Sequence, residues 1–365
     1  MESHYTVMIR TDANSEIASG HMMRCLTIAE ELCHHNASVI FALSDEKSLS
    51  CLKHIQLLSD IRPDSFRCVV LGSDYRNVDD ETSLLQEQIH LFSVDLILFD
   101  SYFVTEAYLS YFSSLCKTAY IDDISKFDYP VNFVINYDLF PDVSFYRTAD
   151  TRLMGPKYAP LRSQFKNISY SFHKEVQNIL ISTGGTDPYE IEYQLLDAIF
   201  HGQKDRTLSF LNYHVIVPSN EGMKKKLMGL SAQFSNIILH EQVKDMAALM
   251  KSCDLAITAS GTTLYELCAV SVPTLCFSMA DNQMEPAGDF NRAGCCVYVG
   301  DCRDCTSKIQ TKKEPSFVSS FIDELLCKLS ATCSDVALRI SMHEKMNSLI
   351  DGMGASRIVQ ALLQK

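Results

Sequence analysis

The sequence predicts an α/β protein with two doubly wound domains, each a parallel sheet covered by helices. Short runs of β-branched and apolar residues alternate with longer amphipathic runs, which is the pattern of repeated βαβ units. The alternation stops near residue 138 and resumes near residue 178. The length of 365 residues also exceeds what one hydrophobic core usually supports, so more than one domain is expected.

In the first half, six short segments have the composition of buried strands. They are residues 6–9, 38–43, 68–71, 96–99, 119–121 and 133–136. Residues 21–34 and 105–115 carry apolar side chains at helical spacing, so we expect crossover helices there. Residues 138–173 contain Pro141, Pro156 and Pro160 without clear periodicity, which is typical of a connection between domains.

In the second half, the strand candidates are residues 178–182, 212–217, 236–240, 255–258 and 274–277. Helices are expected at 189–200, at 243–251 and in the tail beyond residue 317. We therefore predict an N-terminal domain over 1–150, a linker over 151–175, a C-terminal domain over 176–345 and a final helix over 346–365. Ligands of open α/β sheets bind at the carboxyl ends of the strands, so we expect both domains to face one cleft.

The composition excludes several classes of protein. A net charge of −13 with scattered basic residues argues against a nucleic-acid partner, since such binding depends on phosphate neutralisation. The apolar runs are too short to span a membrane, and the N-terminus has no signal-peptide pattern. We therefore expect a cytoplasmic protein with reduced thiols. Cys302 and Cys305 form a CxxC pair, but the adjacent Cys295 and Cys296 have poor spacing for a metal, so no metal is expected.

Three strand-to-helix junctions contain glycine: ASGHMMRC, ISTGGTDPYE and ITASGTTLYELC. Free N–H groups and the positive dipole end of a helix attract anions at such points. The second and third junctions also carry hydroxyls, and we interpret them as a diphosphate cradle rather than as simple turns. The residues concerned are Thr183, Gly184, Gly185, Thr186, Ser260, Gly261, Thr262 and Thr263.

His21 is the most suggestive single residue, because it stands where the first helix must begin. A helix N-terminus disfavours the imidazolium, so we expect a lowered pKa and a neutral imidazole that acts as a general base. The alternative is a capping or structural histidine. Asp12 lies upstream and either orients His21 or serves as a turn residue.

Other polar residues follow predicted strands. Asp100 and Tyr102 come after the fourth strand, and Asp122 and Asp123 after the fifth. The paired acids are either metal ligands, an acid/base pair or helix caps. Glu266, one turn into its helix, either complements the dipole or accepts the two hydroxyls of a ribose. Residues 281–283, DNQ, follow a buried strand and offer amides to a polar ligand.

Together, and in this order, these stretches resemble one family. RTDANSEIASGHMMRCLTIAEEL, FDSY, YIDD, LMGPKYAPLRSQF, STGGTDPYE, ASGTTLYELCAVSVP and ADNQ are similar to motifs of the nucleotide-sugar hydrolases of pseudaminic acid biosynthesis. That resemblance covers about residues 5–283. It implies the glycosyltransferase-B fold and metal-free, cofactor-free removal of UDP from a UDP-diacetamido-trideoxy sugar by water. His21 is then the base. From the residues themselves, we expect Asp12 and Tyr102 to act beside it in catalysis.

By the same resemblance, the residues that bind the UDP-sugar substrate include Arg162, Gly184, Gly185, Thr186, Thr262, Thr263, Glu266, Asn282 and Gln283. From their positions at the ends of predicted strands and the starts of predicted helices, we also expect substrate contacts from Ser19, Gly20, Arg24, Asp100, Asp123, Ser260 and Gly261. Arg162 and the helix ends are expected to carry the leaving group's charge. The chain departs from the family pattern at Ala18, where glycine is usual, and at Asn14, where serine is usual.

Two rival functions remain open on the sequence alone. The same scaffold serves glycosyltransferases that use a UDP-sugar for surface polysaccharide, with the base activating an acceptor hydroxyl. A non-catalytic nucleotide-sugar-binding protein is the alternative from another class. An NAD dehydrogenase is disfavoured, because no G-x-G-x-x-G follows any predicted strand. The exact sugar and the oligomeric state are not fixed by any motif.

Overall fold

The structure of this chain is a computed structural model that describes residues 5–14, 20–58, 65–185, 187–202, 206–305 and 318–364. For residues 57–58, 304–305 and 318–320 only the backbone is described. The chain divides into two compact units. Unit 1 comprises Met1–Ser163 and Gly352–Lys365, and unit 2 comprises Gln164–Asp351.

Thirteen strands lie in the described part of the chain. They are β1 Thr6–Thr11, β2 Ser38–Leu43, β3 Arg67–Val70, β4 Leu96–Asp100, β5 Lys117–Ile121, β6 Phe133–Asn136, β7 Thr151–Met154, β8 Asn178–Ser182, β9 Asn212–Ile216, β10 Ile237–His240, β11 Leu255–Ala259, β12 Thr274–Ser278 and β13 Val297–Asp301.

Twelve α-helices connect or cover these strands in the described residues. They are α1 Gly20–His34, α2 Glu46–Leu58, α3 Thr82–Phe92, α4 Glu106–Ser113, α5 Ile191–His201, α6 Glu221–Ser231, α7 Met246–Lys251, α8 Thr262–Val270, α9 Met284–Arg292, α10 Val318–Ser334, α11 Val336–Leu349 and α12 Gly354–Leu362.

Unit 1 contains a seven-stranded parallel sheet in the order β3-β2-β1-β4-β5-β6-β7. Successive side chains of β1 point to opposite faces, as the twofold period of a strand requires. Val7 and Ile9 belong to one apolar cluster with α1 and α12, whereas Met8 belongs to the cluster on the other face. Both faces are therefore covered, which explains why the predicted strands have continuous apolar runs.

Unit 2 contains a six-stranded parallel sheet in the order β10-β9-β8-β11-β12-β13. In both sheets the strand order reverses beside the first strand of the unit, which is the topological switch point of doubly wound folds. The prediction of two doubly wound, Rossmann-like α/β domains is therefore confirmed. The carboxyl ends of β1 and β4 in unit 1, and of β8 and β11 in unit 2, carry the residues described below.

The domain boundaries differ from the expected ones. Residues 151–175 are not wholly a linker, because β7 pairs with β6 inside the first sheet and unit 1 extends to Ser163. The C-terminal segment also differs, since α12 packs on α1 and belongs to unit 1. The sequence missed β7 and β13, which are edge strands. Only Leu153 of β7 is buried, and β13 ends in Gly300 and Asp301, so neither has a continuous apolar run.

Candidate functional site

A small recess lies at the carboxyl ends of β1 and β4 in unit 1. It is lined by Asp12, His21, Asp100, Ser101, Tyr102 and Phe103. Three of the predicted catalytic residues, Asp12, His21 and Tyr102, therefore lie together with Asp100. The sequence placed them near one another only because parallel strands deliver their carboxyl ends to one edge.

His21 lies in the first turn of α1 and is only 6% exposed. Its Nδ1 lies 2.5 Å from Oδ1 of Asp100. A carboxylate can only accept, so this contact favours the ring form whose Nδ1–H donates to Asp100. Nη2 of Arg24, which is a donor, lies 3.0 Å from the same nitrogen. The bond to Asp100 fixes the ring orientation and, in the neutral ring, leaves the lone pair on Nε2.

Arg24, one turn further along α1, holds Asp100 from the other side. Its Nε donates to Oδ2 of Asp100 at 2.6 Å and its Nη2 to Oδ1 at 2.5 Å, a two-point contact. Burial alone would raise the pKa of the Asp100 carboxyl, but Arg24 and then His21 hold it well below its usual range. Asp100 is therefore a permanent carboxylate beside His21.

The guanidinium of Arg24 also reaches two residues that follow β5 and β6. Its Nη1 donates to Oδ2 of Asp123 at 2.8 Å and to the hydroxyl of Tyr137 at 2.6 Å. Burial, partly offset by Arg24, raises the pKa of Tyr137 to about 12. Tyr137 was missed by the sequence analysis, although its position directly after β6 is the signal that could have identified it.

Tyr102 packs edge-on against His21, with ring centroids 4.5 Å apart. Its hydroxyl donates to Oδ2 of Asp123 at 3.1 Å. Burial, together with Asp123, raises the pKa of this hydroxyl well above its usual value, so Tyr102 keeps its proton near neutral pH. Tyr102 thus packs its ring against His21 and donates a hydrogen bond to Asp123.

Asp12 lines the recess, but its carboxylate is used by other groups. Its Oδ1 accepts from the backbone N–H of Ser44 at 2.7 Å and from the Ser44 hydroxyl at 2.8 Å. Its Oδ2 pairs with buried Arg10, which Glu81 holds in turn. The acid that contacts His21 is therefore Asp100, and the expectation that Asp12 orients this ring is corrected.

The paired acids after β5 have separate surroundings. Asp122 is fully buried, and its carboxylate accepts from the hydroxyls of Tyr129 and Tyr146 and from the backbone N–H of Ser125. Asp123 instead joins Arg24 and Tyr102. Asp122 therefore stabilises the turn that follows β5, which is nearest to the capping interpretation. Asp123 belongs to the group of side chains around His21, together with Arg24 and Tyr102.

In unit 2, the Gly184–Gly185 turn follows β8. Gly184 has a φ of +88°, a conformation that side chains with a Cβ rarely adopt. Thr183 donates from its backbone N–H at 3.0 Å and its hydroxyl at 2.9 Å to Oε1 of buried Glu192. Asp187 accepts from the backbone N–H groups of Ile191 and Glu192 at the start of α5. This helix N-terminus is therefore already occupied by a carboxylate of the chain itself.

Glu192 gives unit 2 a testable pH dependence. Burial, and then Asp187, raises the pKa of Glu192 to about 8. The folded chain therefore binds the proton of the Glu192 carboxyl more tightly than the unfolded chain does. The stability that this protonated carboxyl contributes is fully present below its unfolded pKa and is lost as the pH rises through about 8. Glu192→Gln removes the ionisation and keeps an acceptor for Thr183. In urea unfolding, we expect the stability advantage of the variant over the parent to be about 4 kcal/mol larger at pH 9 than at pH 5.

A matched control is Glu324→Gln on α10, since that side chain is 53% exposed and pairs only across the helix surface with Lys328. Its unfolding free energy should stay within about 0.5 kcal/mol of the parent at both pH values. A difference between Glu192→Gln and the parent that is equal at pH 5 and pH 9 would contradict the assignment.

The N-terminus of α8 differs from that of α5. Its N-cap residue is Gly261, which offers no side chain to the first N–H groups. The hydroxyl of Ser260 is turned away and donates to the carbonyl of Phe277 at 3.0 Å. Thr262, the first residue of the helix, is exposed. Of the two glycine junctions in unit 2, α8 therefore has the helix end that the chain leaves without a side-chain cap.

The remaining predicted residues are placed as follows. Glu266 is buried on α8, and Arg162 lies half-buried near the end of unit 1. Asn282 is exposed, whereas Oε1 of Gln283 accepts from the backbone N–H of Met279 at 2.9 Å. Gly20 begins α1. Thr263 follows Thr262 in the first turn of α8. Ser19 and Thr186 lie outside the described residues.

In the second half of the chain, Cys295 and Cys296 each lie against another cysteine that is distant in sequence. The Sγ atoms of Cys276 and Cys296 lie 3.3 Å apart, and Cys295 hydrogen-bonds Cys268. The adjacent pair thus points to β12 and to α8, as neighbours in an extended segment must. In the described residues, no three His, Cys, Asp or Glu side chains are grouped so that they could hold a metal ion.

Comparisons with known proteins agree with this architecture. No family model matches the chain. The sequence is 25% identical over 373 residues to the spore coat polysaccharide biosynthesis protein SpsG of Bacillus subtilis, covering 98% of this chain and 97% of that protein. It is 26% identical over 301 residues to an uncharacterized protein of Methanocaldococcus jannaschii, covering 78% of this chain but only 58% of the archaeal protein.

Solved structures show the same fold at low sequence identity. A UDP complex of MnaA from S. aureus matches with a TM-score of 0.63 and 12% identity, over 98% of this chain and 96% of that one. A UDP-GlcNAc 2-epimerase from Neisseria meningitidis with bound UDP-GlcNAc matches at 0.58 and 14%, over 99% and 100%. The spinosyn rhamnosyltransferase SpnG with thymidine diphosphate matches at 0.59 and 12%, over 99% and 100%.

The fold is therefore of the glycosyltransferase-B type, as the motif resemblance implied. No helix in the described ranges is both long enough and apolar enough to cross a membrane.

Proposed function

We propose that this protein is a UDP-sugar hydrolase in which His21 deprotonates the water that attacks the anomeric carbon, with inversion of configuration. The observation that carries the proposal is the 2.5 Å contact between Nδ1 of His21 and Asp100. It leaves Nε2 as the basic atom of the ring. In general-base catalysis, a histidine is commonly oriented by a carboxylate on one ring nitrogen while the other nitrogen takes the proton.

The charges around His21 suit proton uptake. Asp100 and Asp123 supply two carboxylates, and Arg24 supplies one guanidinium. When His21 takes a proton from water, the resulting imidazolium brings this cluster to neutrality. The buried position of the cluster strengthens that compensation, because charges interact more strongly away from bulk water.

In the reaction, the water oxygen bonds to the anomeric carbon while the bond between that carbon and the phosphate oxygen breaks. The water proton passes to Nε2 of His21, and UDP leaves with the electron pair. We propose that the uncapped N-terminus of α8, with Gly261, Thr262 and Thr263, binds the diphosphate. Its free N–H groups and dipole stabilise the leaving group's negative charge. Asp187 already occupies the N-terminus of α5, which favours α8.

The proposed substrate is a UDP-activated diacetamido-trideoxy sugar of the pseudaminic acid or a related nonulosonate pathway. The ordered motifs support this sugar class, and the UDP and UDP-GlcNAc in structures with the same fold support a uridine nucleotide. The substrate contacts that we propose follow the motif resemblance. They are Glu266 on the ribose, Arg162, Gly184, Gly185 and Thr186 near the phosphates, and Asn282 and Gln283 near the sugar. Ser260 is left out of this proposal, because its hydroxyl donates to the carbonyl of Phe277. Beyond the resemblance, we propose Ser19 and Gly20 near the sugar.

The direct test is a panel of UDP-sugars incubated with the purified protein and no acceptor. We expect release of UDP with one diacetamido sugar and a product whose first-formed anomer, seen by NMR, is inverted. Release of UDP only after a hydroxyl acceptor is added would contradict hydrolysis. That result would favour a glycosyltransferase, which the likeness to a spore coat polysaccharide biosynthesis protein supports as the second candidate. Tight binding without consumption would indicate a nucleotide-sugar-binding protein.

The diphosphate assignment is tested with Thr262→Asp. A carboxylate in the first turn stabilises a helix but repels a diphosphate, so the fold is retained while binding is lost. We expect the Kd for UDP, measured by calorimetry, to rise by about 30-fold. Ser235→Asp, in an exposed turn of the same unit, is the matched control and should leave the Kd unchanged. Equal affinities of both variants would place the diphosphate elsewhere.

A further inference from the structure

Asp123 connects two side chains that reach His21 from different directions. Its Oδ2 accepts from Nη1 of Arg24 at 2.8 Å and from the hydroxyl of Tyr102 at 3.1 Å. Arg24 holds Asp100, which bonds to Nδ1 of His21. Tyr102 packs its ring against the imidazole. The Asp123 carboxylate thus holds both Arg24 and Tyr102, the two side chains through which it reaches His21.

From this arrangement we infer that Asp123 is a positioning residue, which orients His21 through Arg24 and Tyr102 and balances the charge of the imidazolium. The inference rests on the proposed function. It makes Asp123 a supporting residue of the base, where the sequence analysis expected a contact with the substrate. Its role is to act on the rate of proton transfer rather than on substrate affinity.

The contacts of Asp123 agree with a supporting role. Its Oδ1 is buried and has no hydrogen-bond partner in the described parts of the chain. The hydrogen bonds that this carboxylate accepts from Arg24 and Tyr102 therefore both reach Oδ2. The neighbouring Asp122 cannot substitute for it, because its oxygens are held by Tyr129 and Tyr146.

The charge balance depends on every group that faces His21. These groups are Asp100 at the end of β4, Tyr102 after β4, Arg24 on α1 and Asp12 after β1. Through Arg24, they also include Asp123 after β5 and Tyr137 after β6. Asp12 shares the single positive charge of Arg10 with Glu81. If Asp123 were neutral, Asp100 alone would face the whole charge of Arg24. The imidazolium would then lose its compensation, and His21 would become a weaker base.

The test is Asp123→Asn, which keeps the shape and removes the charge. We expect kcat to fall about tenfold while KM stays within about twofold, because the loss acts on proton transfer. The acidic limb of the pH profile of kcat/KM should move to lower pH by about one unit. Asp123→Glu, which restores the charge, should recover part of the rate.

A second readout needs no substrate. In ring-selective NMR, with the His21 signal assigned by its disappearance in His21→Asn, the midpoint of the His21 titration should move to lower pH in Asp123→Asn by a similar amount. Asp142→Asn, an exposed aspartate of the same unit that accepts from Ser144, is the matched control and should move neither readout.

The outcomes separate this inference from the proposed function. If Asp123→Asn raises KM and spares kcat, or leaves the His21 titration and the pH profile unchanged, Asp123 is not a positioning residue. If the parent chain releases no UDP from any sugar while the NMR shift is still observed, the proposed reaction fails and the support of His21 by Asp123 stands.

Discussion

His21→Asn is expected to lower the rate of UDP release at least 10³-fold, while the Kd for UDP stays within about threefold of the parent value. Asparagine has no titratable nitrogen, so it cannot take the proton of the attacking water. The diphosphate contacts proposed at α8 do not involve this residue. UDP release in a coupled assay and UDP binding by calorimetry measure the two effects separately.

The matched control is His90→Asn, since His90 is an exposed histidine on α3 of the same unit. Its turnover should equal that of the parent. A folded His21→Asn variant that turns over at more than a tenth of the parent rate would show that another group activates the water.

Asp100→Asn is expected to have the second largest effect, a fall in kcat of about 10³-fold. The amide places an N–H donor against Nδ1 of His21 and favours the ring tautomer with the proton on Nε2, which cannot act as the base. A higher pH is not expected to restore the rate, because the neutral ring of the variant still carries its proton on Nε2. The measurement is kcat against pH for the variant and the parent.

This substitution also removes a partner of buried Arg24, so the fold must be checked. Loss of one partner of a buried ion pair costs about 3–5 kcal/mol, which thermal unfolding will detect. UDP binding shows whether the remaining chain is native. A folded Asp100→Asn variant with kcat within tenfold of the parent would exclude Asp100 as the residue that orients His21.

Much of the fold was predictable because the strands are buried on both faces. The predicted bounds of residues 38–43, 133–136 and 178–182 coincide with β2, β6 and β8. Continuous apolar runs bounded by polar residues give a strong signal for such strands. At an edge, only half of the side chains need to be apolar, and β7, with the sequence TRLM, gives almost no signal.

The site was predictable only as a set of positions. Strand ends identify Asp100, Tyr102 and Asp123 as neighbours, since parallel strands deliver their carboxyl ends to one edge. Which acid contacts His21 depends on side-chain directions that no spacing encodes. Asp12 turns to Ser44 and Arg10, and Asp100 receives His21.

The sequence by itself determined two parallel α/β domains, a histidine at the start of the first helix and glycine turns at two strand ends of the second unit. These follow from local periodicity and from residues with restricted roles, which act over a few positions of the chain. Only the tertiary structure decided that Asp187 caps α5 while α8 remains uncapped, and that Arg24 links Asp100 to Asp123. The hydrogen bonds from Arg24 to Asp100 and to Asp123 join residues that are 76 and 99 positions apart in the chain. They arise from tertiary packing, because no local sequence pattern fixes which of these side chains meet.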